Sequence, residues 1–153
     1  MHLNFQFKTP ESSSDIRNLI DFLALQPLTY PDYAKWVQKA EAELFAEQKQ
    51  AIMALSDNRL VGDIVFQQHK QLPRVRELRN LRVHPVLRGR YFGSFLLKQA
   101  EQGLGKDFDL IMCDARSDQH NMTALLLRSG YTPITTVNLY DNTYQDTIFT
   151  KAA

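Results

Sequence analysis

The sequence is short of several things. It has one cysteine, Cys113, in 153 residues, so an internal disulfide is excluded and a reducing compartment is the natural setting. No stretch approaches the ~20 consecutive apolar residues that cross a bilayer. Met1 to Pro10 lacks a basic start followed by an apolar block, so no signal peptide is expected. Charge of one sign is missing too. Lys and Arg number 18 against 17 Asp and Glu, a net of +1, which gives the molecule no strong bias toward nucleic acid or a membrane surface. His2, His69, His84 and His120 show no metal-ligand spacing, and a lone cysteine argues against structural zinc, so no metal is expected. Internal repeats, low-complexity tracts and long linkers are absent. What remains is 44% apolar and 23% charged, a globular composition in a chain long enough to bury a sizeable core. The expectation is one domain over residues 1–153, in the cytoplasm.

The pattern alternates strands and helices. Leu3 to Phe7 alternates apolar and polar, a strand with one buried face. Ser12, Ser13 or Ser14 can cap a helix carrying Ile16, Leu19, Ile20 and Leu23 at helical spacing, which Pro27 ends. Thr29-Tyr30-Pro31-Asp32 restarts the chain into a helix with Tyr33, Trp36, Val37, Ala40 and Leu44 on one face. Ala51 to Leu55 and Leu60 to Gln68 form a hairpin across Ser56-Asp57-Asn58-Arg59. Gly62 inside the second strand predicts a bulge or a close approach. Val75 to Val83 is a further strand. After a third helix, Asp109 to Asp114 reads as a buried strand, and Arg116 to Asn121 as a polar segment able to cap a short helix closed by Gly130. Thr132 to Tyr140 and Tyr144 to Thr150 make a C-terminal hairpin around Asp141-Asn142. The order β-α-α-β-β-β-α-β-α-β-β predicts an α/β sandwich, with a mixed, mostly antiparallel sheet and helices on both faces.

The chemistry concentrates between Leu81 and Gly103. Strand Leu81-Arg82-Val83 is stopped by His84-Pro85. The turn Arg88-Gly89-Arg90-Tyr91-Phe92-Gly93 leads into a helix with Phe92, Phe95, Leu96 and Ala100 at helical spacing, ending near Gly103. The first N–H groups of a helix lack internal partners and, with the helix dipole, favour phosphate. Glycine admits a bulky anion and arginine adds charge-assisted donors. An ordinary loop with solvated arginines explains the same residues, and spacing alone leaves both open.

Val83-His84-Pro85 followed by Arg88-Gly89-Arg90-Tyr91-Phe92-Gly93-Ser94 resembles the acyl-CoA loop of the GNAT superfamily of N-acetyltransferases. That family's pattern is Gln/Arg-x-x-Gly-x-Gly/Ala. Arg88 and Gly93 match its ends, and Tyr91 departs from its middle glycine. A β-carbon there is tolerable if φ stays helical. The element order is also similar to that family's fold, and Asn121-x-x-Ala124 with Gly130-Tyr131 resembles its fourth helix and next strand. The resemblance implies acetyl-CoA as cosubstrate and a primary amine as acceptor, joined by direct attack in a ternary complex. It implies that the segment Leu81, Arg82 and Val83 pairs with the pantetheine arm through its backbone. It assigns the pyrophosphate to Arg88, Gly89, Arg90, Tyr91, Phe92, Gly93 and Ser94. Asn121 is a pantetheine ligand or a helix cap.

Glu77, eleven residues before Arg88, matches a catalytic glutamate of some members, and is alternatively a surface partner of Arg76 or Arg79. The tyrosine acid that many members carry late in the fourth helix is missing from Leu125 to Gly130. Tyr30, Asp32 and Tyr33 are candidate acceptor walls, with Trp36 better explained by packing. Cys113 reads as a buried structural thiol. Dimerisation is compatible with the resemblance. A non-catalytic acyl-CoA-binding module is the first rival. A polyanion binder, suggested by Lys70, Arg74, Arg76, Arg79, Arg82, Arg88 and Arg90, is disfavoured because alternate strand positions face opposite ways.

Overall fold

The computed structural model describes residues 4–25, 30–140 and 143–153. Leu3, Pro27, Thr29 and the Asp141-Asn142 turn lie outside them. The elements are β1 (Phe5–Lys8), α1 (Ser13–Ala24), α2 (Tyr33–Phe45), β2 (Gln50–Ser56), β3 (Arg59–Gln68), β4 (Val75–Val83), α3 (Phe92–Ala100), β5 (Leu110–Arg116), α4 (His120–Arg128), β6 (Thr132–Val137) and β7 (Asp146–Ala152). A 3-10 turn, Pro85–Leu87, follows β4.

One sheet of seven strands runs β1-β2-β3-β4-β5-β7-β6. Every pairing is antiparallel except β4 with β5. Strand alternation divides the core in two. Ala51, Met53 and Val65 meet Leu19, Leu23, Val37 and Leu44 of α1 and α2. Ala54, Ile64, Phe66 and Leu78 face the other way, onto Leu96, Leu97 and Ala100 of α3 and Leu126 of α4. Helices therefore cover both faces, as the pattern requires.

Local chemistry explains the boundaries. Ser12 caps α1, its hydroxyl accepting from the Asp15 N–H at 3.1 Å. The β2–β3 hairpin turns on Asp57 and Asn58, both with positive φ. Gly62 is a close approach: a β-carbon there would sit 2.9 Å from the Arg82 carbonyl oxygen. The same strand pair also carries an irregularity between Ala54 and Leu55. Three expectations need correction. β5 runs on to Arg116, and α4 begins at His120 with Gln119 as its cap, so Asn121 is a first-turn helical residue and not the cap. Of the last two strands, β6 starts at Thr132 as expected but stops at Val137, and β7 keeps its seven residues but lies two further on, pairing along the whole of β5 and taking its register from it.

Candidate active site

β4 has three sections. Val75, Arg76 and Glu77 pair with Leu110, Ile111 and Met112 of β5. Beyond them the strands part: β5 continues on β7, and β4 continues on β3 alone. Between the sections, Val65 pairs with Asn80 and Phe66 with Leu78, leaving Arg79 as the extra residue of a bulge. The edge of β4 toward β5 is thus open from the bulge to Val83. The His84 N–H donates to the Val61 carbonyl at 2.7 Å, on the β3 side. Strand alternation then turns the backbone groups of Leu81 and Val83 to the open edge and those of Arg82 to β3. The Arg82 side chain is occupied elsewhere. It donates to the Phe22 carbonyl and lies 4.4 Å over the Phe22 ring, pinning α1 to the sheet.

The open edge leads to the start of α3. His84 Nδ1 accepts from the Val86 N–H at 3.3 Å and sets the 3-10 turn. Arg88 is exposed and donates through Nε to the Val83 carbonyl at 3.1 Å. Gly89 has φ +75 with nothing within 4 Å of where a β-carbon would stand. The first N–H bonded back into α3 is that of Phe95, to the Tyr91 carbonyl at 3.0 Å. Those of Phe92, Gly93 and Ser94 precede it and have no helical partner. Gly93 serves packing: a β-carbon there would stand 2.8 Å from Leu125 Cδ2 of α4. Phe92 packs on Phe5 and Phe7. Tyr91 does not take the helical φ at which a β-carbon is most readily tolerated. It sits at φ 66, ψ 7, the left-handed region, with its side chain 75% exposed. The backbone adopts the conformation a glycine would take, so the β-carbon is carried outward. Asn121 is exposed in the first turn of α4.

On the opposite face, Glu77 borders a cavity of about 270 Å³ between α2 and the outer ends of β3 and β4. Glu77 Oε1 accepts from Gln67 Nε2 at 2.9 Å and from Arg79 Nη1 at 3.3 Å. Its Oε2 faces His69 Nε2 at 3.6 Å. His69 Nδ1 accepts from the N–H groups of Gln71 and Leu72, both at 3.1 Å, so the neutral ring carries its proton on the nitrogen facing Glu77. Gln67 also accepts from the buried Lys49 Nζ, which binds Glu43 Oε2 at 3.1 Å. Burial alone would raise the Glu43 carboxyl, but the Lys49 bond and charge outweigh it and hold it below its ordinary value. Burial likewise lowers Lys49.

Sequence reasoning missed a second group beside this cavity. Ile111, Cys113 and Ala115 of β5 point into the α3 core, so Asp114 faces the other way. It accepts from Tyr140 Oη at 2.8 Å. Burial raises its carboxyl, against the hydrogen bond from Tyr140 and the charge of Arg79. Tyr30 packs edge-on against Tyr140 at 5.1 Å and donates to Asp146 Oδ1 at 3.3 Å. Asp146 is fully buried, its Oδ2 has no partner among the described residues, and burial followed by the Asp114 charge raises its pKa. The available signal was a carboxylate at an alternate position of an otherwise apolar strand. Of the other predicted walls, Tyr33 ties the helices together, its hydroxyl donating to the Leu23 carbonyl at 2.7 Å. Asp32 stays on the surface beside Lys35, its side chain 73% exposed, and is not brought to the cavity. Trp36 both stacks on Tyr33 and lines the cavity. The Cys113 thiol is buried, which pushes it up to about 12. No group of His, Cys, Asp and Glu able to hold a metal occurs among the described residues. Nor is any described helix long and apolar enough to cross a membrane.

The model of the acetyltransferase (GNAT) family matches residues 16–131. The chain belongs to that family. Acyl-CoA is the family's acyl donor. Solved structures agree in fold. A Desulfovibrio desulfuricans protein described as a GNAT-family acetyltransferase superposes with TM-score 0.80 at 14% identity, over 97% of this chain and 99% of that one. The NatC complex bound to Gag peptide and CoA gives 0.79 at 16% identity, over 98% and 99%. The ribosomal-protein-alanine N-acetyltransferase of Brucella melitensis gives 0.73 at 14% identity, over 97% and 99%. No curated protein sequence matches significantly.

Proposed function

We propose that this GNAT chain is a single-domain N-acetyltransferase, moving an acetyl group from acetyl-CoA to a primary amine in a ternary complex. The observation that carries the reading is the parting of β4 from β5, which leaves a free strand edge aimed at an anion-compatible helix start. That edge offers the backbone groups of Leu81 and Val83 to an extended amide-bearing arm. The first turn of α3 offers three N–H groups, with Gly89 open in front and Arg88 and Arg90 beside them. The residues present therefore fit acetyl-CoA, which supplies the activated acetyl thioester when bound.

The remaining chemistry belongs to the chain. The bulge at Arg79 frees a backbone N–H near the point where β4 and β5 part, suited to polarising the thioester carbonyl. The amine must arrive neutral, and Glu77 is the carboxylate placed to take its proton, directly or through water. Gln67 and Arg79 hold Glu77 in position. The His69 Nε2–H faces its other oxygen at 3.6 Å and favours the charged carboxylate. The amine then forms the amide bond as the carbon–sulfur bond breaks. The late α4 segment has no tyrosine to protonate the leaving thiolate, so water serves there. Tyr131 is unsuited, since it is buried and donates to Glu101 Oε1 at 3.2 Å.

Calorimetric titration with acetyl-CoA, with CoA and ATP as controls, tests the first half. Thiol release across an amine panel tests the second. Saturable acetyl-CoA binding together with amine-dependent release supports the reading. Binding without turnover on any amine would make the chain an acyl-CoA-binding module, and no binding by the folded protein would overturn both.

A further inference from the structure

The cavity beside Glu77 has a charge imbalance that the transfer chemistry does not use. Four basic side chains, Lys39, Lys49, Lys70 and Arg79, line it against two carboxylates, Glu43 and Glu77. Glu43 is shared three ways. Lys49 holds its Oε2 at 3.1 Å, while Lys39 and Lys70 stand off at 3.9 Å each. The side chains of Lys39 and Lys70 are 64% and 61% exposed, free to turn toward a ligand. Arg79 gives Nη1 to Glu77, and its buried Nε–H has no partner among the described residues. The opposite side of Glu77 is acidic: Asp114 lies within electrostatic reach of both Glu77 and Arg79. Polarity thus runs from carboxylates near the open end of β4 to an excess of cations at the outer cavity.

We propose that the acceptor is a small dipolar amine, a free amino acid or close analogue. Its ammonium enters on the Glu77 and Asp114 side, and its carboxylate is taken up by the exposed ammonium groups of Lys39 and Lys70. The proposal rests on the N-acetyltransferase reading and names its substrate class. The volume, about 270 Å³, is below the ~300–1,000 Å³ of pockets for drug-sized ligands, which suits a molecule of amino-acid size. Trp36 supplies an apolar wall for its carbon skeleton. A polyamine has no such fit, because its second cation would be placed among lysines with no carboxylate left to pair it. Glu43 is buried, so the ligand's carboxylate is held at the outer ammonium groups of Lys39 and Lys70 and not at the inner Lys49.

The test uses matched pairs: common amino acids and the amines left when their α-carboxyl is removed, such as tyrosine with tyramine and lysine with cadaverine. Thiol release from acetyl-CoA is followed for transfer. Saturation-transfer NMR without acetyl-CoA is followed for binding. At least one carboxylate-bearing member is expected to exceed its partner amine about tenfold or more in kcat/KM, equivalent to about 1.4 kcal/mol. The double variant Lys39→Glu/Lys70→Glu, its fold checked by circular dichroism, is expected to collapse that ratio toward one through a raised KM for the acid. Efficient acetylation of plain amines with no carboxylate preference would overturn this proposal and leave the transferase reading intact. Carboxylate-dependent binding that the double variant abolishes, without transfer to any amine, would keep the anion subsite and sink the transferase reading. No binding and no transfer for any amino acid, or a preference that charge reversal leaves unchanged, overturns the proposal.

Discussion

Replacing Tyr91 by glycine should make the protein more stable, which is unusual for removal of an aromatic side chain. The reason is local. Tyr91 holds φ 66, ψ 7 at the start of α3. For a residue with a β-carbon the left-handed region costs roughly 1–2 kcal/mol. Glycine pays nothing there but carries more freedom in the unfolded chain, an offset of about 0.4–1 kcal/mol. The tyrosine side chain is 75% exposed, so little burial is lost with it. The balance is a gain of about 0.5–1 kcal/mol, a rise of roughly 2 °C in Tm for a chain of this size. Thermal and urea denaturation followed by circular dichroism read it directly. Gly89→Ala provides the mirror experiment. At φ +75, with nothing within 4 Å of the added methyl, it should lose about 1 kcal/mol through backbone strain alone. Because the Tyr91 backbone already takes a glycine-like course, acetyl-CoA affinity should differ little between Tyr91→Gly and its parent. A Tyr91→Gly protein less stable by 1 kcal/mol or more would refute the reasoning, since the ring would then be making contacts that its exposure denies.

Four further outcomes are expected. Arg88→Ala should weaken acetyl-CoA binding about tenfold in calorimetry with little change in Tm, the size of one lost charge-assisted contact; equal affinity in a folded variant removes Arg88 from the site. Glu77→Gln should lower kcat, most severely below the amine's pKa, with acetyl-CoA affinity intact, and an unchanged pH–rate profile would reject Glu77 as the base. Asp63 is fully buried beside Asn80, Arg82 and Tyr33, and burial pushes its carboxyl up from 3.8 to about 7. Its native form therefore holds a proton the unfolded chain has lost, so its contribution is complete below about pH 4 and is lost as pH rises through about 7. Asp63→Asn should then match the parent near pH 4 and exceed it above pH 8, by at most about 4 kcal/mol, and a difference that urea denaturation finds independent of pH would reject this. Gly93→Val should destabilise by roughly 1–3 kcal/mol, because its side chain collides with Leu125, and an unchanged Tm would show that α4 gives way.

The fold was legible where period and punctuation were strong. Val75 to Val83 is read with its ends correct, since Pro73 precedes it and Pro85 follows it, and both faces carry patterned residues. The loop into α3 is equally plain, because glycine and arginine mark it. What one-dimensional pattern does not carry is register. The bulge that makes Arg79 an extra residue depends on where Val65 and Phe66 fall on β3, and nothing in the β4 residues announces it. The same holds for β5. Read as a uniformly buried run, it hid the alternation that sends Ile111, Cys113 and Ala115 into the α3 core and Asp114 to the other face. Asp114 bonds to Tyr140, on which Tyr30 packs while donating to Asp146, and a constellation that topology assembles from Tyr30, β5 and the C-terminal strand region leaves no local spacing to find. Tyr91 shows the converse limit. The residue type argued for a helical φ, and tertiary context held the glycine-like conformation instead.

The three sections of β4 also constrain how Glu77 acts. A strand advances about 3.3 Å per residue, so the backbone of Glu77 lies roughly 7 Å from that of Arg79 and roughly 13 Å from that of Leu81. If the pantetheine arm lies along Leu81 and Val83, the reacting carbonyl sits near the Arg79 bulge, where β4 first leaves β5. The attacking nitrogen must then approach within about 3–3.5 Å of that carbonyl carbon. Glu77, its Oε1 held by Gln67 and Arg79 at 2.9 and 3.3 Å, is set back from this point along the strand. Direct proton abstraction by Oε1 would require it to leave both partners. A water between the amine and Glu77 lets the carboxylate keep them while it takes the proton. Arg79 then has two tasks at once, a side chain that fixes the base and a backbone that meets the thioester. Substituting it should lower kcat far more than it alters acetyl-CoA affinity.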